Sequence, residues 1–180
     1  MPTTARPVAE NSSLDPGWAL VGAASRHEAV NEASPDGDGS YIQRGIGTAS
    51  LTGFPAMRLA GMADPGTDDG FELTFVTRNT ALGTSSLTVA LYQGDPDVAG
   101  SLLGSDAIVT GSTGYSPKTW SVPAAVIEDI TDFADVWVSW NTASGSGGNL
   151  RITQIEMVVP DEEEPPGAGV PMRTLTGAGL

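Results

Sequence analysis

Short runs that alternate apolar and polar residues, cut every few positions by glycine or proline, constrain this chain more than any other feature. Phe71-Glu-Leu-Thr-Phe-Val-Thr77 puts Phe71, Leu73 and Phe75 on one face, and Leu87-Thr-Val-Ala-Leu-Tyr92 puts Leu87, Val89 and Leu91 on one face. A period of two over so few residues is the pattern of a half-buried strand, not of a helix. Gly94-Asp95-Pro96-Asp97 then breaks the chain. Further strands are expected at Trp18–Val21, Tyr41–Ile42, Ala49–Leu51, Leu102–Val109, Lys118–Val122, Val136–Trp140 and Leu150–Val159, with a helix of about two turns over Ala124–Phe133. The Gly-Ser loop at 144–148 joins the last two strands as in a β-hairpin. In the last strand Leu150, Ile152, Gln154, Glu156 and Val158 share one face, and Arg151, Thr153, Ile155, Met157 and Val159 the other. Neither face is clean, so burial near one end only is expected. These short strands predict an all-β fold: an antiparallel β-sandwich, jelly-roll-like, with about eight strands, one short helix and an extended arm at each end.

The chain has 180 residues, enough for one hydrophobic core. The sandwich is expected over 17–160. Residues 1–16 carry Pro2, Pro7 and Pro16 and show no period, so they read as an N-terminal arm. From Asp161 the composition turns acidic, with Glu162, Glu163 and Glu164 following. Residues 161–180 are therefore an acidic spacer and a C-terminal arm, whose Val170, Met172, Leu175 and Leu180 make a candidate docking peptide. An ordinary frayed tail is the competing reading. The start, Met1 to Ser13, contains no apolar core of a secretory signal, and no run approaches the ~18 apolar residues of a membrane span. A soluble chain without membrane contact is expected.

The formal net charge is −14, and there is no cysteine. The first argues against nucleic acid, which needs a basic surface to displace counterions from phosphates. The second excludes disulfides, thiolate metal sites and a cysteine nucleophile. His27 is the single histidine, and no nucleophile elbow accompanies it. Asp36-Gly-Asp-Gly-Ser40 resembles the start of a calcium loop, which makes Asp36 and Asp38 candidate ligands. The bidentate acid such a loop needs at its twelfth position is replaced by Gly47, and an acidic turn explains the same residues. Asp64, Asp68 and Asp69 form a second acidic loop. Gly145-Ser-Gly-Gly148 lacks the lysine of a phosphate-binding loop. No catalytic residue and no cofactor is therefore expected. Trp137 and Trp140 are three apart, so on one strand they face opposite ways, one into the core and one outward.

Three stretches carry a resemblance to a family. They are His27-Glu-Ala-Val-Asn-Glu-Ala-Ser-Pro-Asp-Gly-Asp-Gly-Ser-Tyr-Ile42 preceded by Trp18, Leu87-Thr-Val-Ala-Leu-Tyr-Gln-Gly94, and Ile130-Thr-Asp-Phe-Ala-Asp-Val-Trp-Val-Ser-Trp140 followed by Arg151 to Pro160. In this order they are similar to jelly-roll-like domains of virion structural proteins of tailed phages. The resemblance spans about 18–160. It implies a non-enzymatic particle component, a capsid decoration or tail protein, located in the virion. Its partners would be major capsid or tail proteins and further copies of itself, docked through the arms and the sandwich surface. The alternative is a carbohydrate-binding module used for host-surface adsorption, which requires at least one of Trp120, Trp137, Trp140, Tyr92 or Tyr115 in an exposed groove.

Overall fold

The structure, a computed structural model, describes residues 2–10, 18–34, 39–45, 55–111, 113–145 and 148–161. Asp36, Asp38 and the docking peptide with Val170, Met172, Leu175 and Leu180 lie outside these residues, as does the strand expected at Ala49–Leu51. The described strands are β1 (Thr3–Glu10), β2 (Ala19–Val21), β3 (Tyr41–Gly45), β4 (Ala56–Ala60), β5 (Glu72–Asn79), β6 (Ser85–Gln93), β7 (Ser101–Thr110), β8 (Ser116–Ser121), β9 (Val136–Gly145) and β10 (Asn149–Val159). A single helical turn, α1 (Ala124–Ile127), follows Pro123.

All strand pairs are antiparallel and form two sheets. The first runs β2-β3-β10-β5-β8, and the second β1-β4-β9-β6-β7. The fold is the expected β-sandwich. Its core is the alternating inward set of both sheets: Leu87, Val89 and Leu91 from β6, Val136, Val138 and Trp140 from β9, and Leu73 and Phe75 from β5. Trp140 takes Trp18 and Phe75 edge-on at centroid distances of 6.0 and 6.1 Å. Edge-to-face contact suits the ring quadrupoles and fixes how the two sheets stack.

Three expectations change. Most of the segment read as an N-terminal arm is a strand. Thr3–Ala5 pair with Met157–Val159 in the first sheet, and Arg6–Glu10 pair with Met57–Ala60 in the second. The crossing is made at a β-bulge between Pro7 and Ala9. Proline is tolerated there because an edge strand leaves one row of amides unpaired. The glycine-serine loop before β10 does not close a hairpin, since β9 pairs with β4 and β6 while β10 pairs with β1, β3 and β5. β9 and β10, consecutive in the chain, therefore lie in different sheets. The helix expected to Phe133 stops at Ile127, and a separate 3-10 turn occupies Phe133–Asp135. Asp132 caps that turn, its carboxylate accepting from the Ala134 amide at 2.9 Å, so the backbone is satisfied without a continuous helix.

The mixed faces of β10 also find their cause. A bulge between Ile152 and Gln154 shifts the alternation by one residue. Leu150 and Ile152 face the core before it, and Ile155, Met157 and Val159 after it. Thr153, at the bulge, is buried and donates to the Ser40 carbonyl at 3.0 Å.

Candidate functional site

The outer face of the second sheet carries three rungs of side chains set by the strand registers. The first is Leu102, Tyr92, Trp137 and Arg58. The middle rung is Ser105, Ala90, Ser139 and Ala56, and the third contains Ala107, Thr88 and Asn141. Every residue of the middle rung is small. The sheet surface therefore dips between the Tyr92 rung and the Thr88 rung, which lie roughly 13 Å apart along the strands. The dip is an open groove of about 140 Å³ lined by Thr88, Ala90, Tyr92, Leu102, Ser105, Ser139, Trp140 and Asn141.

No lining side chain carries a charge. The Tyr92 ring, half-buried, makes one wall beside Leu102, which is 58% exposed. Ser105, Ser139, Thr88 and Asn141 supply hydroxyl and amide groups. The Asn141 Oδ1 is buried with no hydrogen-bond partner among the described residues. Such an orphaned acceptor costs roughly 1–3 kcal/mol until a donor reaches it.

The walls are anchored from one end. Gln93, next to Tyr92 on β6, grips the 131–135 turn with both ends of its amide. Its Oε1 accepts from the amides of Thr131 (3.0 Å) and Asp132 (3.1 Å), and its Nε2 donates to the carbonyls of Asp132 and Asp135 (3.0 Å each). In the same turn Asp135 Oδ1 accepts from the Trp137 indole at 2.8 Å. The rung under Tyr92 is thus tied to the loop at the end of the sandwich.

The aromatic candidates divide differently from the expectation. Trp120, Trp137 and Trp140 are 5%, 8% and 1% exposed, so none offers an open ring. Trp140 and Trp137 do face opposite sides of β9, but Trp137 on the outer side is nearly covered. Of the two aromatic residues lining the groove, Trp140 is buried and Tyr92 is half-buried. Tyr115 lies elsewhere, under the guanidinium of Arg78.

His27 is accounted for locally. Its Nε2 is 3.4 Å from Ser25 Oγ and its Nδ1 3.9 Å from Glu10 Oε2, too long for a proton relay. Ser25 and Glu28 instead form a capping box: the Glu28 amide donates to Ser25 Oγ and the Ser25 amide to Glu28 Oε2. Glu10 Oε2 accepts from the amides of Arg26 and His27, which ties this turn to β1. Among the described residues, no three acidic or histidine side chains gather as a metal site.

No family model and no curated protein matches the chain. Similar solved structures exist at low identity. The xylan-binding module CBM15 is 14% identical with a TM-score of 0.42, covering 90% of this chain and 99% of that one. A family 30 carbohydrate-binding module is 12% identical with a TM-score of 0.43, covering 93% and 88%. The CBM22-1 and GH10 modules of Clostridium thermocellum endo-1,4-beta-D-xylanase 10B, complexed with xylohexaose, are 8% identical with a TM-score of 0.45. The match covers 82% of this chain and only 25% of that one. At these scores the likenesses assign no ligand to this chain. They do correct one expectation. The structures it resembles are carbohydrate-binding modules, not building blocks of a tailed-virus particle. The N-terminal segment expected to reach a neighbouring chain is, moreover, a strand of the chain's own sandwich.

Proposed function

We propose that this chain is a carbohydrate-binding module that holds a glycan in the groove on the outer face of the second sheet and performs no chemical step. The observation that carries the reading is the middle rung of small residues between Tyr92 on one side and Thr88 and Asn141 on the other. A sugar ring has an apolar face and a rim of hydroxyls. The Tyr92 ring and Leu102 suit the face, and the hydroxyl and amide groups suit the rim. The groove is open and its walls belong to the sheet itself, so a bound chain would need little rearrangement to enter.

Affinity electrophoresis tests the reading. Migration of the full chain is expected to slow in a gel containing at least one soluble polysaccharide from a panel of xylan, mannan and β-glucan. Tyr92→Ala should restore the mobility seen without polysaccharide while leaving the melting temperature within a few degrees. An unretarded wild type across the panel, or a Tyr92→Ala variant retarded as strongly as the wild type, would falsify the groove assignment.

A further inference from the structure

The groove opens toward one side of the sheet only. Along the middle rung the outward-facing residues become more covered from β7 to β4: Ser105 is exposed, Ala90 half-buried, Ser139 2% exposed and Ala56 0%. Ser139 and Ala56 point away from the core, since Val138 and Met57 beside them point into it. Side chains this small cannot cover themselves, so the outer face is closed over at β9 and β4. The neighbouring rung follows the same course over its first three strands, with Leu102 exposed, Tyr92 half-buried and Trp137 buried. At the other end β7 is the last strand of the second sheet, and Ser105 and Leu102 stand at an open mouth.

The size of the space agrees. Its described lining residues all belong to β6, β7 and β9, and three neighbouring strands span roughly 10 Å. The volume is about 140 Å³, whereas pockets for drug-sized ligands run to roughly 300–1,000 Å³. This is room for one sugar ring, with the rest of a glycan leaving over the β7 edge. A polysaccharide held by its interior needs a trough open at both ends, because the chain has to enter and to leave. A groove with one closed end admits only a unit that has a free side. We propose, resting on the glycan reading of the groove, that the site takes a terminal sugar unit, the end of a chain or a single-unit branch, inserted from the β7 edge with its far side against Ser139. The unit is neutral, because a sugar carboxylate would be buried among lining side chains that carry no charge to pair with it.

Calorimetry on the full chain with linear oligosaccharides of two to six mannose, xylose or glucose units tests this. It is paired with affinity gels containing galactomannan or arabinoxylan before and after enzymatic removal of their single-unit branches. For any series that binds, the dissociation constant is expected to change less than threefold from the disaccharide to the hexasaccharide. If no linear series binds, retardation is expected to disappear with the branches. A constant that falls tenfold or more with length, or retardation by any unbranched polymer while no oligosaccharide binds, would overturn the terminal-unit assignment and leave a Tyr92-dependent groove in place. If neither the oligosaccharides nor any gel shows binding, the groove reading fails and the terminal-unit assignment fails with it.

Discussion

Two glycines show how little room single positions leave. Gly22 has φ +80°, and a Cβ built there would sit 1.8 Å from the Gly39 carbonyl oxygen. Only a residue without a side chain allows the end of β2 to lie so close to the loop before β3. Gly104 is constrained by packing instead, its Cβ falling 2.6 Å from a methyl of Val126. It lets α1 settle against β7. Gly104→Ala should cost about 1–3 kcal/mol in urea unfolding, the usual range for overpacking. Adding Val126→Ala should recover part of that loss, because the two positions compete for one space. A double variant no more stable than the sum of the two singles would show that the clash is not the cause. Gln93 works by polar reach, serving four backbone groups of one turn. Gln93→Ala leaves those groups to find other partners and should cost about 2–3 kcal/mol, with a matching rise in hydrogen exchange at the amides of Thr131 and Asp132.

At the scale of elements, β5 and β6 are the parts most legible in the sequence, since Phe71, Leu73 and Phe75 and then Leu87, Val89 and Leu91 recur at every second position. β4 is not legible, because Ala-Met-Arg-Leu-Ala is too short to establish a period. β1 is hidden by Pro7, which marks an edge position instead of a loop. β10 looked ambiguous for a definite reason: one inserted residue at the bulge moves its apolar set from one parity to the other. The groove was only partly legible. Tyr92 stood among the candidate rings, but Ala90, Ser105 and Ser139 carry no signal of their own. They become a floor only when the registers of β6, β7 and β9 bring them into one rung. Tryptophan is the larger stacking ring, but Trp120, Trp137 and Trp140 are all buried.

For the whole molecule, the decisive element is β1. A free arm could be removed with no effect on the rest, but β1 closes the edge of one sheet and extends the other. Deleting residues 1–10 should therefore lower the melting temperature by ten degrees or more, or leave a chain that binds a hydrophobic dye at room temperature. An unchanged melt would mean that β1 adds nothing to the sandwich. The deletion also exposes the Met157–Val159 end of β10 and the outer edge of β4, and unpaired edges invite pairing with other chains. Aggregation at high concentration is expected alongside the loss of stability.

The pairing of Thr3 with Val159 has a mechanical meaning as well. The first and last strands of the sandwich start and finish on the same rung. Tension applied between those two ends pulls β1 away from β10 crosswise, so the hydrogen bonds are loaded one after another instead of all together. A β-sandwich clamped this way opens like a zip. Stretched by a single-molecule tether attached at its two ends, it should yield at much lower force than when pulled between Thr3 and Asn149, at opposite ends of the paired strands, where the same ladder would have to shear as a whole.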